Sequence, residues 1–229
     1  EILCKVGRKD EADAYSRLAE QIFVALKQYA LVENDCGERK ILHGWSDNRG
    51  FCIGGFCDND GQSRDSLTVN AYWVISRALL KDESVKKDIL AAYERLDSKY
   101  GLKTFEPYFD PSNTAVGRIT RLPKGTAENG AVYIHATLFA IWSLFEMGEC
   151  ERAWEQLYKI LPVTHADIST TPFVMPNSFI ENAEKGFDGE SMSDWFTGRG
   201  CVLVKVLIWY IFGVRADLDS LIISPAAHI

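Results

Sequence analysis

Helical periodicity, broken by connections of very unequal length, most constrains the fold of this chain. Apolar residues recur at steps of three and four along six segments, which predicts six α-helices. The predicted helices span residues 9–31, 66–80, 84–100, 131–147, 151–161 and 194–212. The last of them is apolar on every side, so we expect its whole surface to be buried.

The connections between the predicted helices alternate between short and long. The long ones, 34–63, 101–130 and 162–193, are rich in polar and turn-forming residues, and structureless connections of this length are usually functional. The alternation predicts an all-α fold, an α/α toroid of six helical hairpins with its site loops at one end. Such a ring needs about twelve helices. Residues 1–215 are therefore expected to form the C-terminal half of the ring, and residues 216–229 a short tail that forms one strand.

Composition and charge exclude several classes of function. With 25 Lys and Arg against 32 Asp and Glu, the net charge is −7, so a nucleic-acid partner is not expected. A hydrophobic fraction of 47% is ordinary for a globular protein. The most apolar run, residues 201–212, is too short to cross a bilayer and contains Lys205, and no signal peptide is recognised. We expect a cytoplasmic protein without a membrane partner.

The cysteines give a weak signal about redox state and metal binding. The six cysteines are Cys4, Cys36, Cys52, Cys57, Cys150 and Cys201. A chain of this size does not need disulfides for stability, so we expect reduced, mostly buried thiols. Zinc bound by His43, Cys52 and Cys57 is the alternative, but a single C-x4-C pair without a second pair is a poor zinc signature. We predict neither a metal nor a cofactor.

One polar cluster lies immediately before the last apolar run. Residues 188–200 read D-G-E-S-M-S-D-W-F-T-G-R-G, which places Thr197, Gly198 and Arg199 at the start of a predicted helix. Backbone N–H groups at a helix start, a hydroxyl and a guanidinium together favour an anion site. Alone, the Thr-Gly pair is more typical of an ordinary N-cap.

Two further clusters carry an acid, an indole and an imidazole. Trp45 and Asp47 lie in G-W-S-D-N, and Glu128 and His135 lie in A-E-N-G-A-V-Y-I-H. Each has a structural alternative, because Asp47 also suits an Asx-turn and His135 a hydrogen-bonded core position. Taken together with the anion site, they supply the groups needed to cleave a glycosidic bond with phosphate.

The clusters occur in an order typical of one enzyme family. The chain carries G-W-S-D-N at 44–48, P-K-G-T-A-E-N-G-A-V-Y-I-H at 123–135, T-P-F-V-M-P-N at 171–177 and S-D-W-F-T-G at 193–198. This set resembles the C-terminal part of the catalytic toroid of glycoside hydrolase family 94, the cellobiose and chitobiose phosphorylases and their 1,2-β-oligoglucan relatives. The resemblance implies that Asp47 is the general acid and that Trp45 lines the donor sugar subsite.

The same resemblance implies roles for four other residues. It assigns phosphate binding to His135, Thr197 and Gly198, and part of the sugar site to Glu128. At the position of Asn177 the family usually carries glutamine, which implies a substrate-binding residue. Arg199 is not implied by the family pattern, but its guanidinium would add a charge-assisted hydrogen bond to phosphate.

The residues favour phosphorolysis with inversion over hydrolysis. Protonated Asp47 would donate to the leaving oxygen of a β-linked gluco-oligosaccharide while inorganic phosphate, the co-substrate, attacks the opposite face and yields an α-sugar-1-phosphate. An inverting hydrolase needs a second carboxylate roughly 6.5–9.5 Å away to activate water. For that alternative the candidate bases are Glu128, Glu190 and Asp194. A third alternative is a non-catalytic sugar-binding module. We also expect two copies of the chain to associate as a homodimer through apolar helix faces.

Overall fold

The computed structural model describes residues 1–33, 37–42, 64–112, 117–169, 173–193 and 198–226. Within these residues the chain forms seven α-helices and eleven short strands. The helices are α1 (Ile2–Lys5), α2 (Lys9–Tyr29), α3 (Leu67–Ile75), α4 (Lys86–Leu96), α5 (Ile134–Glu146), α6 (Cys150–Lys159) and α7 (Gly198–Val206). The strands are β1 (Leu31–Glu33), β2 (Arg39–Ile41), β3 (Asp65–Ser66), β4 (Asp97–Ser98), β5 (Gly101–Leu102), β6 (Phe105–Glu106), β7 (Val132–Tyr133), β8 (Ser178–Phe179), β9 (Ser191–Met192), β10 (Val214–Asp217) and β11 (Ser220–Ile223).

The predicted all-α fold, a half toroid of helical hairpins, is wrong. The described residues contain five small antiparallel sheets, β1–β2, β3–β6, β4–β5, β7–β8–β9 and β10–β11. Five of the eleven strands, β2, β5, β6, β8 and β9, lie in the three long connections that were predicted to be structureless. Backbone N–H and C=O groups that are buried against helices must find partners, and short strand pairs provide them.

Helix α5 forms the centre of the core. It packs against α3, α6 and α7, and its side chains Leu138, Ile141 and Leu144 are almost completely buried. Burying each such side chain contributes about 1.5–3 kcal/mol to stability. This helix is therefore a rigid support for the residues at its N-terminus.

The three-stranded sheet fixes where α5 begins. Strand β7 leads directly into the helix and pairs with β8, which in turn pairs with β9. The Ile134 N–H donates to the carbonyl of Asn177 at 3.0 Å, so the loop before β8 holds the first residue of the helix. As a result His135 lies in the first turn of α5 at a fixed position.

Helix α7 differs from its prediction. It continues as one π-helical turn, Leu207–Ile211, and it packs on α5 along one side. Its other side presents Val204, Ile208 and Phe212 to solvent, so the expectation that this helix is buried all round is wrong. An apolar composition cannot tell how many neighbours a helix has. The association of two copies through such faces stays a prediction.

The C-terminal residues form a hairpin rather than a single strand. The predicted strand around residues 221–223 lies within β11, and its partner β10 was not predicted. The sequence analysis separated the helical region from the tail between residues 215 and 216. This boundary lies inside strand β10, which spans Val214–Asp217.

The described cysteines are free thiols. Cys4 and Cys201 are exposed and Cys150 is partly buried, so the expectation of mostly buried thiols is wrong for the first two. Cys36, Cys52 and Cys57 lie outside the described residues. None of the helices in the described part of the chain combines the length and apolar character that a bilayer crossing demands.

Candidate functional site

Two helix N-termini meet at the imidazole of His135. Helix α5 begins at Ile134, so His135 lies in its first turn, and α7 begins at Gly198. A Cβ atom placed on Gly198 would lie 2.8 Å from His135 Cε1 and 3.2 Å from Nε2. The first turn of an α-helix has N–H groups without an intrahelical acceptor and carries the positive end of the helix dipole. Two positive helix ends therefore converge on one side chain.

The glycine at position 198 is required by this close approach. Because a Cβ at 2.8 Å from a ring carbon is closer than real Cβ atoms come to a neighbour, any larger residue would displace His135 or the start of α7. The T-G motif thus has a steric reason in this structure: the glycine lets the helix start approach the imidazole.

The His135 ring is held by stacking and has free nitrogens. It stacks on Phe139 with ring centroids 4.8 Å apart, and neither ring nitrogen has a hydrogen-bond partner within the described residues. Burial lowers the pKa of His135, and the positive charge of Arg199 lowers it further. The imidazole is therefore neutral at pH 7 in a region of positive potential.

Arg199 is the fully buried cation next to this site. Its Nε and Nη2 donate to the carbonyl oxygen of Met175 at 3.2 and 2.9 Å. This bond joins the first turn of α7 to the loop that ends at Asn177. A buried guanidinium needs such partners because an unpaired one would be very costly.

Glu128 and His135 line the same cleft. Its volume is about 360 Å³, and its polar lining residues are Thr68, Tyr72, Thr104, Glu128, Tyr133 and His135. The side chain of Glu128 is 46% exposed, and its Oε1 lies 3.5 Å from Nη2 of Arg118. Its Oε2 is buried without a hydrogen-bond partner among the described residues. Because Oε2 is buried, a ligand would approach this carboxylate from the exposed part of the side chain, where an oxygen can accept hydrogen bonds.

Two asparagines organise the loops around the cleft. The backbone of Asn177 connects two segments, because its N–H donates a hydrogen bond to Met192 O at 3.1 Å and its carbonyl accepts one from the Ile134 N–H. Substrate binding by Asn177 stays a prediction. The buried side chain of Asn129 accepts from the Phe109 N–H at 2.8 Å and donates to the Leu122 carbonyl at 3.0 Å. Sequence reasoning missed Asn129, although its place between Glu128 and a glycine could have indicated a structural role.

The cleft also contains aromatic side chains that the sequence analysis did not single out. Tyr72 and Phe139 pack with centroids 5.0 Å apart, and Tyr133 lies beside them in the lining. Their helical spacing is the same as that of core residues, so periodicity could not separate them. Tyr72, which is 44% exposed, offers the clearest of these surfaces.

Several predicted site residues cannot be located relative to this cleft. Trp45, Asp47 and Thr197 lie outside the described residues, as does Asp194. The same holds for His43, Cys52 and Cys57. No group of three or more metal-ligating side chains occurs in the described ranges, and the prediction that no metal is bound stays a prediction.

The comparison with known families now identifies the chain. The family description "Glycosyl hydrolase 94 superfamily, catalytic domain" matches residues 1–213. The chain belongs to this superfamily. The resemblance found from the ordered motifs is thereby confirmed.

Several curated relatives within the superfamily are phosphorylases. The chain is 29% identical over 226 residues to N,N'-diacetylchitobiose phosphorylase of Vibrio furnissii, which covers 93% of the chain and 28% of the relative. It is 30% identical over 188 residues to 3-O-beta-D-glucopyranosyl-beta-D-glucuronide phosphorylase of Paenibacillus borealis, covering 77% and 24%. It is 30% identical over 161 residues to cellobionic acid phosphorylase of Neurospora crassa, covering 67% and 20%. The chain therefore spans about a quarter of the length of these relatives.

Proposed function

We propose that this catalytic domain serves the inverting phosphorolysis of a β-linked gluco-oligosaccharide to an α-sugar-1-phosphate. The proposal rests on the family and on the relatives, whose names describe phosphorylases of disaccharides. Two of these names include an acidic sugar, a glucuronide and cellobionic acid, so carboxylate-bearing substrates are within the range considered.

One observation carries the phosphate part of the proposal. The N-terminus of α7 approaches the free imidazole of His135 so closely that only glycine fits between them. Helix N–H groups, the dipoles of α5 and α7 and the nearby charge of Arg199 all favour an anion at this point. A bound phosphate would accept hydrogen bonds from the Gly198 N–H, the Thr197 hydroxyl and the His135 ring.

In this proposal the two ends of the cleft bind different parts of the reaction complex. The His135 end would hold and orient phosphate, and the Glu128 end would accept hydrogen bonds from sugar hydroxyls. Arg199 would position the start of α7 through its bonds to Met175, and its charge would favour the bound phosphate as the sequence analysis expects. Asn177 would hold the start of α5, and Trp45 would line the sugar site.

Asp47 would supply the single proton that the reaction needs. In its protonated form it would donate to the glycosidic oxygen as phosphate forms the new bond to the anomeric carbon, which inverts the configuration there. Because phosphate is already an anionic nucleophile, no second carboxylate is required, in contrast to an inverting hydrolase. Inorganic phosphate is a co-substrate in this proposal, and no cofactor takes part.

The proposal is tested first by binding and then by turnover. We expect inorganic phosphate to bind to the chain in a calorimetric titration, and His135→Gln to weaken the binding at least tenfold. Cys201→Ala, an exposed substitution on the same helix α7, is the matched control and should leave the affinity unchanged. Equal phosphate affinity in the His135 variant would contradict the assigned site.

Turnover separates phosphorolysis from hydrolysis. A panel of β-glucobioses is incubated with the chain, with and without phosphate, and sugar-1-phosphate and free sugar are quantified. We expect product only with phosphate or arsenate. Equal release of free sugar in phosphate-free buffer would favour the hydrolase alternative, and Glu128→Gln would then abolish activity if Glu128 were the base.

A further inference from the structure

Glu128 lies in a tight turn whose backbone is strained. A hydrogen bond of 2.9 Å from the Asn129 N–H to the Thr126 carbonyl closes the turn, so Ala127 and Glu128 are its two central residues. Ala127 has a φ of 46°, in the left-handed region that a residue with a Cβ rarely adopts. Such a conformation costs free energy and persists only where surrounding groups hold it. The position of the Glu128 carboxylate therefore depends on the groups that hold this turn.

One buried hydroxyl binds the backbone on both sides of Asn129. Thr104 Oγ1 donates to the Glu128 carbonyl at 2.9 Å and accepts from the Gly130 N–H at 2.9 Å. Thr104 is only 6% exposed, although it belongs to the lining of the cleft that contains Glu128. A threonine hydroxyl has a single proton, and here the turn already accepts it. The hydroxyl therefore acts on the turn rather than as a donor to a ligand.

The backbone of Thr104 connects this turn to helix α3. The Thr104 carbonyl accepts a hydrogen bond of 3.0 Å from the N–H of Leu67, the first residue of α3. The same helix contributes Thr68 and Tyr72 to the lining of the cleft. The bond to α3 uses only backbone atoms, whereas the bonds to the turn need the hydroxyl. A substitution at Thr104 can therefore release the Glu128 turn and keep the connection to α3.

We propose that Thr104 is a positioning residue for sugar binding, whose hydroxyl fixes the Glu128 carboxylate relative to α3. This inference deepens the proposed function and rests on it. Without the hydroxyl, the turn loses one donor and one acceptor, and Ala127 can relax toward an unstrained φ. The carboxylate then leaves the place at which it accepts hydrogen bonds from the sugar. The hydroxyl makes no bond to His135, so phosphate binding should remain.

The test separates the hydroxyl from the rest of the side chain. Cellobiose binding to the chain is followed by ¹H–¹⁵N NMR titration, and phosphate binding by calorimetry. Thr104→Val keeps the shape of threonine without the hydroxyl, and we expect it to weaken cellobiose binding at least tenfold and to change phosphate affinity less than threefold. Thr104→Ser retains the hydroxyl and should stay within threefold of wild type for both ligands. If Thr104→Val does not fold, Thr104→Ala compared with Thr104→Ser isolates the same hydroxyl.

Two further variants distinguish positioning from general loosening of the cleft. Thr137→Val removes another buried hydroxyl, which donates to the Leu102 carbonyl at 3.1 Å, and it should change neither affinity more than threefold. In a Glu128→Ala background, Thr104→Val should weaken cellobiose binding less than threefold, because no carboxylate remains to be displaced.

Several results would overturn the positioning role of Thr104. They are unchanged cellobiose binding in Thr104→Val, an equal loss in Thr104→Ser or Thr137→Val, an equal loss of phosphate binding, and a full loss that persists without the Glu128 carboxylate. Each of these leaves the proposed function intact as long as wild type binds phosphate and cellobiose. Wild type that binds phosphate alone would overturn the inference together with the sugar site, and wild type that binds neither ligand would overturn the proposed function as well.

Discussion

The two ends of the cleft are built on different principles. At the His135 end, backbone and buried groups determine the geometry: the start of α7 at Gly198, the start of α5 and the fully buried Arg199. At the Glu128 end, the groups are partly exposed side chains, and Glu128 has one weak ion contact with Arg118. The first end is preorganised, whereas the second can change by substitution without affecting the fold.

Under the proposed function, this difference indicates which part of the site can vary. Phosphate is the same in every reaction of this kind, so a rigid seat made of helix ends suits it. The sugar differs between relatives, and side chains at a cleft border can be exchanged at little cost in stability. We therefore expect substitutions at the His135 end to lower stability and phosphate affinity together, and those at the Glu128 end to change sugar affinity alone.

The largest effect is expected from Arg199→Ala. The substitution removes a completely buried side chain, leaves a cavity and takes two donors from the Met175 carbonyl. We expect a loss of about 3 kcal/mol in the free energy of unfolding, measured by urea denaturation. Arg215→Ala, a partly exposed arginine 3.9 Å from Glu146, is the control and should cost less than about 1 kcal/mol. Equal costs would show that the buried position of Arg199 does not matter.

The next effect is expected from Gly198→Ala. Alanine favours a helix by about 1 kcal/mol over glycine, so helix propensity alone predicts stabilisation. The collision with His135 opposes this, and we expect a net loss of about 1–2 kcal/mol together with at least tenfold weaker phosphate binding.

A double-mutant cycle isolates the cause of that loss. In a His135→Ala background the added methyl group has no ring to meet, so Gly198→Ala should become neutral or stabilising. A loss of the same size in both backgrounds would mean that the glycine is required for some other reason.

The positions of two site residues at helix starts were the part of the site most readily predicted from the sequence. His135 and Gly198 belong to short motifs whose meaning depends on a helix start, and the structure places both residues in the first turn of a helix. What the motifs could not show is the contact between residues 135 and 198, because sixty-three positions separate them in the sequence. Only the packing of α7 on α5 brings them together.

The errors in the fold have two physical causes. Strands of two residues, such as β6 and β8, are too short to show an alternating pattern, so the connections that contain them were predicted to be structureless. Periodicity also reports which face of a helix is apolar but not whether a neighbour covers it. Helices α5 and α7 are both apolar, yet α5 has neighbours on several sides and α7 mainly on one.

A smaller effect on stability is expected from Glu128→Gln. The carboxylate is partly exposed and its single ion contact is long, so the free energy of unfolding should change by less than about 1 kcal/mol. Sugar affinity should fall, because the amide replaces one acceptor oxygen by a donor group. We would measure denaturation and sugar titration on the same sample. A loss of stability comparable to that of Arg199→Ala would remove the distinction between the two ends of the cleft.

The smallest expected effect is the dependence of stability on pH through His135. Burial and the charge of Arg199 lower its pKa in the folded protein below the ordinary imidazole value of 6.5. As the pH falls below that value the unfolded chain binds the proton first, so the free energy of unfolding decreases, and the decrease ends once the pH lies below the lowered pKa of the folded state. The effect is small because the ring is only partly buried.

His135→Gln cannot take up this proton, so between about pH 7 and pH 5 wild type should lose more stability than the variant in parallel urea denaturation series. Parallel curves would mean that the imidazole is not in a region of positive potential. Saturating phosphate would oppose that potential, so it should reduce the difference between the two curves.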